Sequence, residues 1–276
     1  MTPPRGALHL VPVPIAAYDG AGAAPVAGNA QEPAAGTPGT VLPPASLDAA
    51  RRARYFLAEN ARSARAFLKA IAHPQPIASL HIVEIGHSPD PARIDAWLDP
   101  LEPADGAAPV DAVIVSESGC PGIADPGASV VARAHQRGIT VIPWVGPSAI
   151  LLALMASGMN GQSFRFLGYL PQDRAELQQR LLGVQRDAQR GETQIFIETP
   201  YRNVRLFDTV LQVCDGNLAL CLAVDLTGAA ASVVTRSIAR WAALPAADRP
   251  VLDRRATVFL LCGTPAGGNA PSKRRR

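Results

Sequence analysis

The chain reads as a two-domain α/β protein, with an N-terminal open, mostly parallel sheet and a C-terminal α+β domain carrying a mixed sheet. Three observations predict this. Short apolar runs alternate with amphipathic stretches from Leu8 to Trp144. Asp111–Val115 is a continuous apolar run of the kind buried on both faces of a parallel sheet. Late in the chain, Leu218–Val224 and Ser232–Arg236 follow one another as strands with no helix between them, which points to antiparallel pairing.

The elements follow in order. Leu8–Val13 is a first strand. Ala16–Pro44 is Ala-, Gly- and Pro-rich with almost no charge, so 16–44 is expected to be a flexible insertion, either a lid or a tolerated loop. Leu47–Arg52 is a short helix and Arg54–Ala58 a strand. Ala61–Ala72 is an amphipathic helix with Ala64, Phe67, Leu68 and Ile71 on one face. Leu80–Ile85, Asp111–Val115 and Ile139–Trp144 are strands, separated by helices over Pro91–Leu101 and Ser129–Gln136. The style changes after Gly146, so domains are expected over 1–145 and 146–263. In the second, helices over 148–156, 174–189 and 204–213 and around Trp241 separate strands over 164–168, 194–198, 218–224, 232–236 and 257–262. Residues 264–276, ending in Lys-Arg-Arg-Arg, are expected to be a disordered basic tail.

Composition narrows the class. With 276 residues, 48% of them hydrophobic, the chain can bury a substantial core or two modest ones. It has no uncharged apolar run of about 18 residues, so no membrane span is expected and the cytoplasm is the expected compartment. LHLVPVPIAA lacks a charged leader and reads as a strand. Cys120, Cys214, Cys221 and Cys262 show no paired metal-ligand spacing; the last three sit in or beside apolar runs and read as buried thiols. Net charge is +3, with Arg51, Arg52, Arg54, Arg62 and Arg65 clustered, as either a solvated helix face or an RNA-facing patch.

The stretch that carries chemistry is SESGCPGIADPG (116–127), followed by WVGPSA (144–149). Glycines at 119, 122 and 127 permit close approach to the backbone, and Pro147 and Ser148 suit a helix start. Two such turns at neighbouring strand ends make a small-ligand cleft. No G-x-G-x-x-G follows the first strand, which argues against a dinucleotide-binding dehydrogenase.

These two motifs, with LALMASGM (152–159) and FLGYLP (166–171), resemble in order the tetrapyrrole-methylase superfamily of S-adenosylmethionine (SAM) methyltransferases. The likeness is greatest to the branch of ribosomal RNA small subunit methyltransferase I, and extends from about His9 to Gly263. It implies a tetrapyrrole-methylase-like fold, SAM as cofactor, a homodimer, and methylation of a cytidine ribose 2′-hydroxyl in small-subunit ribosomal RNA, with no metal required. It also implies cofactor contacts from Pro12, Gly119, Cys120, Pro121, Ile123, Ala124, Ser148 and Ala149. Glu59, in Glu-Asn-Ala-Arg (59–62), and Glu198 and Arg202, in Glu-Thr-Pro-Tyr-Arg (198–202), match the branch's catalytic side. Asn60 and Ala61 depart from its Glu-Asp-Thr-Arg, Tyr201 from its His, and Val13-Pro14-Ile15-Ala16 from its Thr-Pro-Ile-Gly, while His87 is a lone remnant of its His-Glu-His-Asn run.

The departures leave alternatives. Asn60 either replaces a functional acid or caps the next helix, and Glu198–Arg202 either meets substrate or fixes its own turn. His87 reads as structural. The competing functions are a same-fold methyltransferase acting on another RNA or a small molecule such as a tetrapyrrole, and a divergent paralogue that binds SAM or RNA without turnover.

Overall fold

The computed structural model describes residues 5–15, 36–103 and 107–263. The chain divides into Met1–Ser148 with Thr227–Ala229, and Ala149–Leu226 with Ala230–Arg276.

In the first unit, β1 (Ala7–Leu10), β2 (Tyr55–Ala58), β3 (His81–Glu84), β4 (Ala112–Val115) and β5 (Thr140–Pro143) form one sheet in the order β3-β2-β4-β1-β5. All four pairings are parallel. Strand alternation sends side chains to two separate cores. Phe56, Ala58, Val113 and Val115 pack with α2 (Pro44–Arg52) and α3 (Ala61–Ala70) on one face. Leu8, Tyr55, Leu57, Ala112 and Ile114 pack with α4 (Pro91–Leu98) and α5 (Gly127–Gln136) on the other. This double burial is why β4 reads AVIV without polar interruption.

Helix signals in the sequence act as expected. Ala64, Phe67, Leu68 and Ile71 are all buried. Asn60 settles as a cap: its Oδ1 accepts from the N–H groups of Arg62 and Ser63. Pro91 stands at the first helical position behind Asp90, which accepts from the Ala92 N–H. The helix expected over Pro91–Leu101 tightens into a 3-10 turn at Asp99–Leu101. Part of the expected insertion is ordered instead: α1 (Pro38–Val41) starts on a proline, and Leu42 joins the α2–α3 core. The rest of it, 16–35, and the basic tail, 264–276, lie outside the described residues.

Tyr55 yields a test of the second core. Its hydroxyl donates to the Trp97 carbonyl at 2.9 Å, and burial pushes its pKa up to about 12. The folded value exceeds the unfolded value near 10, so its stabilisation is present below about pH 10 and is lost as pH rises toward 12. Tyr55→Phe should cost about 1 kcal/mol at neutral pH and flatten the alkaline limb of a urea-stability profile. An unchanged limb would sink the assignment.

The second unit holds β6 (Phe164–Tyr169), β7 (Thr193–Ile197), β8 (Ala219–Val224), β9 (Ser232–Ser237) and β10 (Thr257–Cys262), ordered β6-β7-β10-β8-β9. Only β6 and β7 are parallel, so the sheet is mixed. One face packs on α7 (Arg174–Gln189), α8 (Asn203–Val213) and α9 (Ile238–Ala242). The other packs on α6 (Ala149–Ser157). Cys214, Cys221 and Cys262 are buried free thiols, and burial raises Cys214 to about 12. No helix among the described residues is long and apolar enough to cross a membrane.

Candidate active site

Strand order decides where a ligand fits. The chain leaves β2 toward β3 and leaves β4 toward β5, so the connections diverge between the adjacent strands β2 and β4, whereas those leaving β4 and β1 cross. Open parallel sheets bind ligands outside the carboxyl ends of their strands at such a divergence. On the other side of β4, the Val13 N–H donates to the Gly119 carbonyl at 2.9 Å, tying the turn after β1 to the turn after β4. Ser118 Oγ adds a bond to the Ile15 carbonyl at 3.0 Å.

The turn after β4 is built from main chain. Gly119 and Gly122 have φ of 70° and 82°, and Ala124 sits at 61°, a left-handed conformation costing a side-chain-bearing residue about 1 kcal/mol. Asp125 holds that conformation: its Oδ1 accepts the N–H groups of Gly122 at 2.5 Å and Gly127 at 2.8 Å. Its Oδ2 is buried with no hydrogen-bond partner among the described residues. Burial raises the Asp125 carboxyl above the usual range, the two backbone bonds oppose this, and the charge of Glu59 adds to it.

Pro12 is buried beside Gly146, where an added Cβ would lie 2.3 Å from the Pro12 Cβ. Gly119 and Pro121 are buried, while Ile123 is 52% exposed, unusual for an isoleucine, and Ala124 is exposed beside it. Cys120 donates its thiol to the Pro147 carbonyl at 3.3 Å. Burial, then Asp125, raises its pKa, so it is a capped thiol rather than a nucleophile. Ser148 closes the first unit, and Ala149 opens α6 in the second. The arrangement suits a small ligand that needs main-chain donors, little side-chain bulk and an apolar contact.

The catalytic candidates fall in two places. Glu59 follows β2; its Oε1 lies 2.7 Å from His87 Nδ1 and its Oε2 accepts the Glu117 N–H at 2.9 Å. One ligand atom each from Glu59, His87 and Glu117 lies within 4.8 Å of the others. Glu198 follows β7 in the second unit, where its Oε1 accepts both the Thr199 N–H and Arg202 Nη2 at 2.6 Å. That bond holds the Arg202 guanidinium firmly charged. The Glu198 side chain is 7% exposed, so its carboxylate is engaged in fixing its own turn.

In the sequence Glu117 and Asp125 carry no role beyond their place in the 116–127 motif, Gly146 belongs only to the turn that opens the next helix, and His87 reads as structural. Their shared signal is position alone, since all follow the carboxyl ends of β3, β4 or β5. A separate cavity of about 450 Å³, lined by His9, Arg52, Arg54, Tyr55, His81 and Asp111 among others, opens at the amino ends of the strands. That is the opposite end from the divergence.

No protein-family model matches the chain. Over 114 residues it is 38% identical to a ribosomal RNA small subunit methyltransferase I of Vibrio cholerae, covering 41% of this chain and 38% of that one. Over 118 residues it is 39% identical to the protein of the same name from Leptospira borgpetersenii, covering 42% and 46%. The chain thus spans less than half the length of these relatives. Among solved structures it shares its fold with the methyltransferase CobJ, at a TM-score of 0.52, 17% identity and coverage of 81% and 89% of the two chains.

Proposed function

We propose that the chain is a SAM-dependent methyltransferase of small-subunit ribosomal RNA, acting on a cytidine ribose 2′-hydroxyl. The observation that carries this reading is the main-chain turn at 119–125, which follows β4 beside the divergence of the strand connections and is tied to the β1 turn. The similarity to ribosomal RNA small subunit methyltransferase I supports the substrate class.

In this reading Pro12, Gly119, Cys120, Pro121, Ile123 and Ala124 hold the cofactor in the first unit, with Ser148 and Ala149 at the start of α6. Bound SAM supplies an electrophilic methyl group, so the protein contributes alignment and exclusion of water. Glu59 belongs to the acceptor side of the site, beside the turn after β4. Arg202, steadied by Glu198 and about a third exposed, meets RNA phosphate. The active form is a homodimer in the cytoplasm.

Calorimetric titration with SAM and S-adenosylhomocysteine, with NAD as control, tests the cofactor. Saturable heats from the first two and none from NAD are expected. Methylation of small ribosomal subunits from a strain lacking the endogenous modification then tests the substrate. Binding without methylation of subunits or stripped RNA would remove ribosomal RNA from the proposal, and no binding by the folded protein would remove SAM.

A further inference from the structure

We infer that His87 is the proton acceptor of the methyl-transfer step, through Nε2, and that Glu59 is the carboxylate that positions it. This rests on the methyltransferase reading above.

His87 is an exposed residue held as if it were an internal one. Its side chain is 75% exposed, yet its Nδ1 lies 2.7 Å from a Glu59 side chain that is only 11% exposed. Such a surface pair contributes little to stability, whereas withdrawing a carboxylate from water is costly unless its oxygens are satisfied. Both Glu59 oxygens are satisfied: Oε1 by His87 and Oε2 by the Glu117 N–H. An ionised carboxylate only accepts hydrogen bonds, so the shared proton sits on Nδ1. The neutral ring then presents Nε2 as a bare lone pair, and no described residue bonds to that atom.

The position fits the role. Glu117 stands two residues before Gly119, in the turn after β4, so the His87–Glu59 pair flanks that turn on its β2–β3 side. Pro12 and Gly146 flank it on the β1–β5 side. A ribose hydroxyl brought to the turn from the first side meets Nε2. Gly86, at φ 68°, turns the chain out of β3 immediately before the histidine. The charged groups around the imidazole are Glu59 after β2 and Glu117 after β4, and Asp125 further along that turn interacts with Glu59.

The atoms balance without a further reactant. The acceptor oxygen forms a bond to the methyl carbon, the carbon–sulfur bond breaks, and its electron pair stays on sulfur. The hydroxyl proton is left over; Nε2 takes it, and Glu59 stabilises the resulting imidazolium. Glu59 thus acts through His87 and needs no contact with RNA.

The test pairs a structural readout with kinetics. In protein labelled with 15N-histidine, the His87 imidazole should show the Nδ1–H tautomer near pH 8, and Glu59→Gln should shift it toward the Nε2–H form favoured by free imidazole. His87→Gln, a substitution at an exposed site, should lower kcat on ribosomal subunits by about 100-fold or more while SAM affinity stays within about twofold. An Nε2–H tautomer in the wild type, or a His87→Gln kcat within about twofold of wild type, would overturn the assignment. So would saturable zinc binding that displaces both imidazole nitrogen signals, which would indicate a metal held with Glu117. Absence of wild-type methylation with the Nδ1–H tautomer present would defeat the functional reading and the inference with it, and is distinguishable because SAM-independent geometry survives.

Discussion

Gly146→Val should weaken SAM binding on the order of 100-fold. The Cβ of any larger residue at 146 would lie 2.3 Å from Pro12 Cβ, 2.6 Å from Pro12 Cγ and 3.2 Å from Leu42 Cδ2. Pro12 cannot yield by rotation, because its ring fixes φ. Its neighbours are also held: Val11 is fully buried, and the Val13 N–H is bonded to the Gly119 carbonyl. The overlap is therefore relieved by moving the β1 turn, and with it Gly119, away from the β5 turn. Overpacking of this kind costs about 1–3 kcal/mol of stability. If the displaced groups form the cofactor pocket, affinity should fall on the order of 100-fold, about 2.7 kcal/mol. Gly39→Ala, where an added Cβ meets nothing within 4 Å, is the matched control and should leave calorimetric titrations unchanged. A folded Gly146→Val protein that binds SAM as wild type does would place the pocket elsewhere.

The second large effect concerns stability. Phe259 is fully buried in β10, the central strand of the second sheet, and stacks on Phe196 with centroids 5.6 Å apart. Phe259→Ala removes that ring from a core with paired strands on both sides, where collapse into the void is difficult. A loss of about 3–5 kcal/mol is expected in urea unfolding. Phe164→Ala, at the start of β6 where the ring is 41% exposed, should cost much less. Equal losses at the two positions would contradict the assigned core.

Local structure was readable because it depends on local rules. Thr257–Cys262 is a strand with the bounds its apolar run suggests, and the Ala64–Ile71 stripe is the buried face of α3. The α1 turn was missed because Val41 and Leu42 end a long stretch with few large apolar residues; packing of these two side chains on the core outweighs the composition around them. Asn60 had two readings of equal standing, and its hydrogen bonds to the Arg62 and Ser63 N–H groups decide for the cap.

The pair Glu198–Arg202 was visible as a spacing of four residues in one motif, and it forms. Glu59 and His87 are 28 residues apart, and no periodicity links them. They meet because β2 and β3 are parallel neighbours, which puts the residues following Ala58 and Glu84 side by side. Asp125 gave no signal beyond its place in a turn, since its part is to accept two N–H groups whose direction depends on the φ of Gly122 and Ala124.

By itself the sequence determined the alternation of strands and helices, the change of style after Gly146, and the glycine-bearing turns, all of which follow from side-chain hydrophobicity and backbone freedom over a few residues. Tertiary structure alone decided that β1 inserts between β4 and β5, and therefore which turns share an edge. Strand pairing is a non-local choice set by packing on both sheet faces, so the partners of Gly119, Pro12, Glu59 and His87 exist only once the sheet has formed.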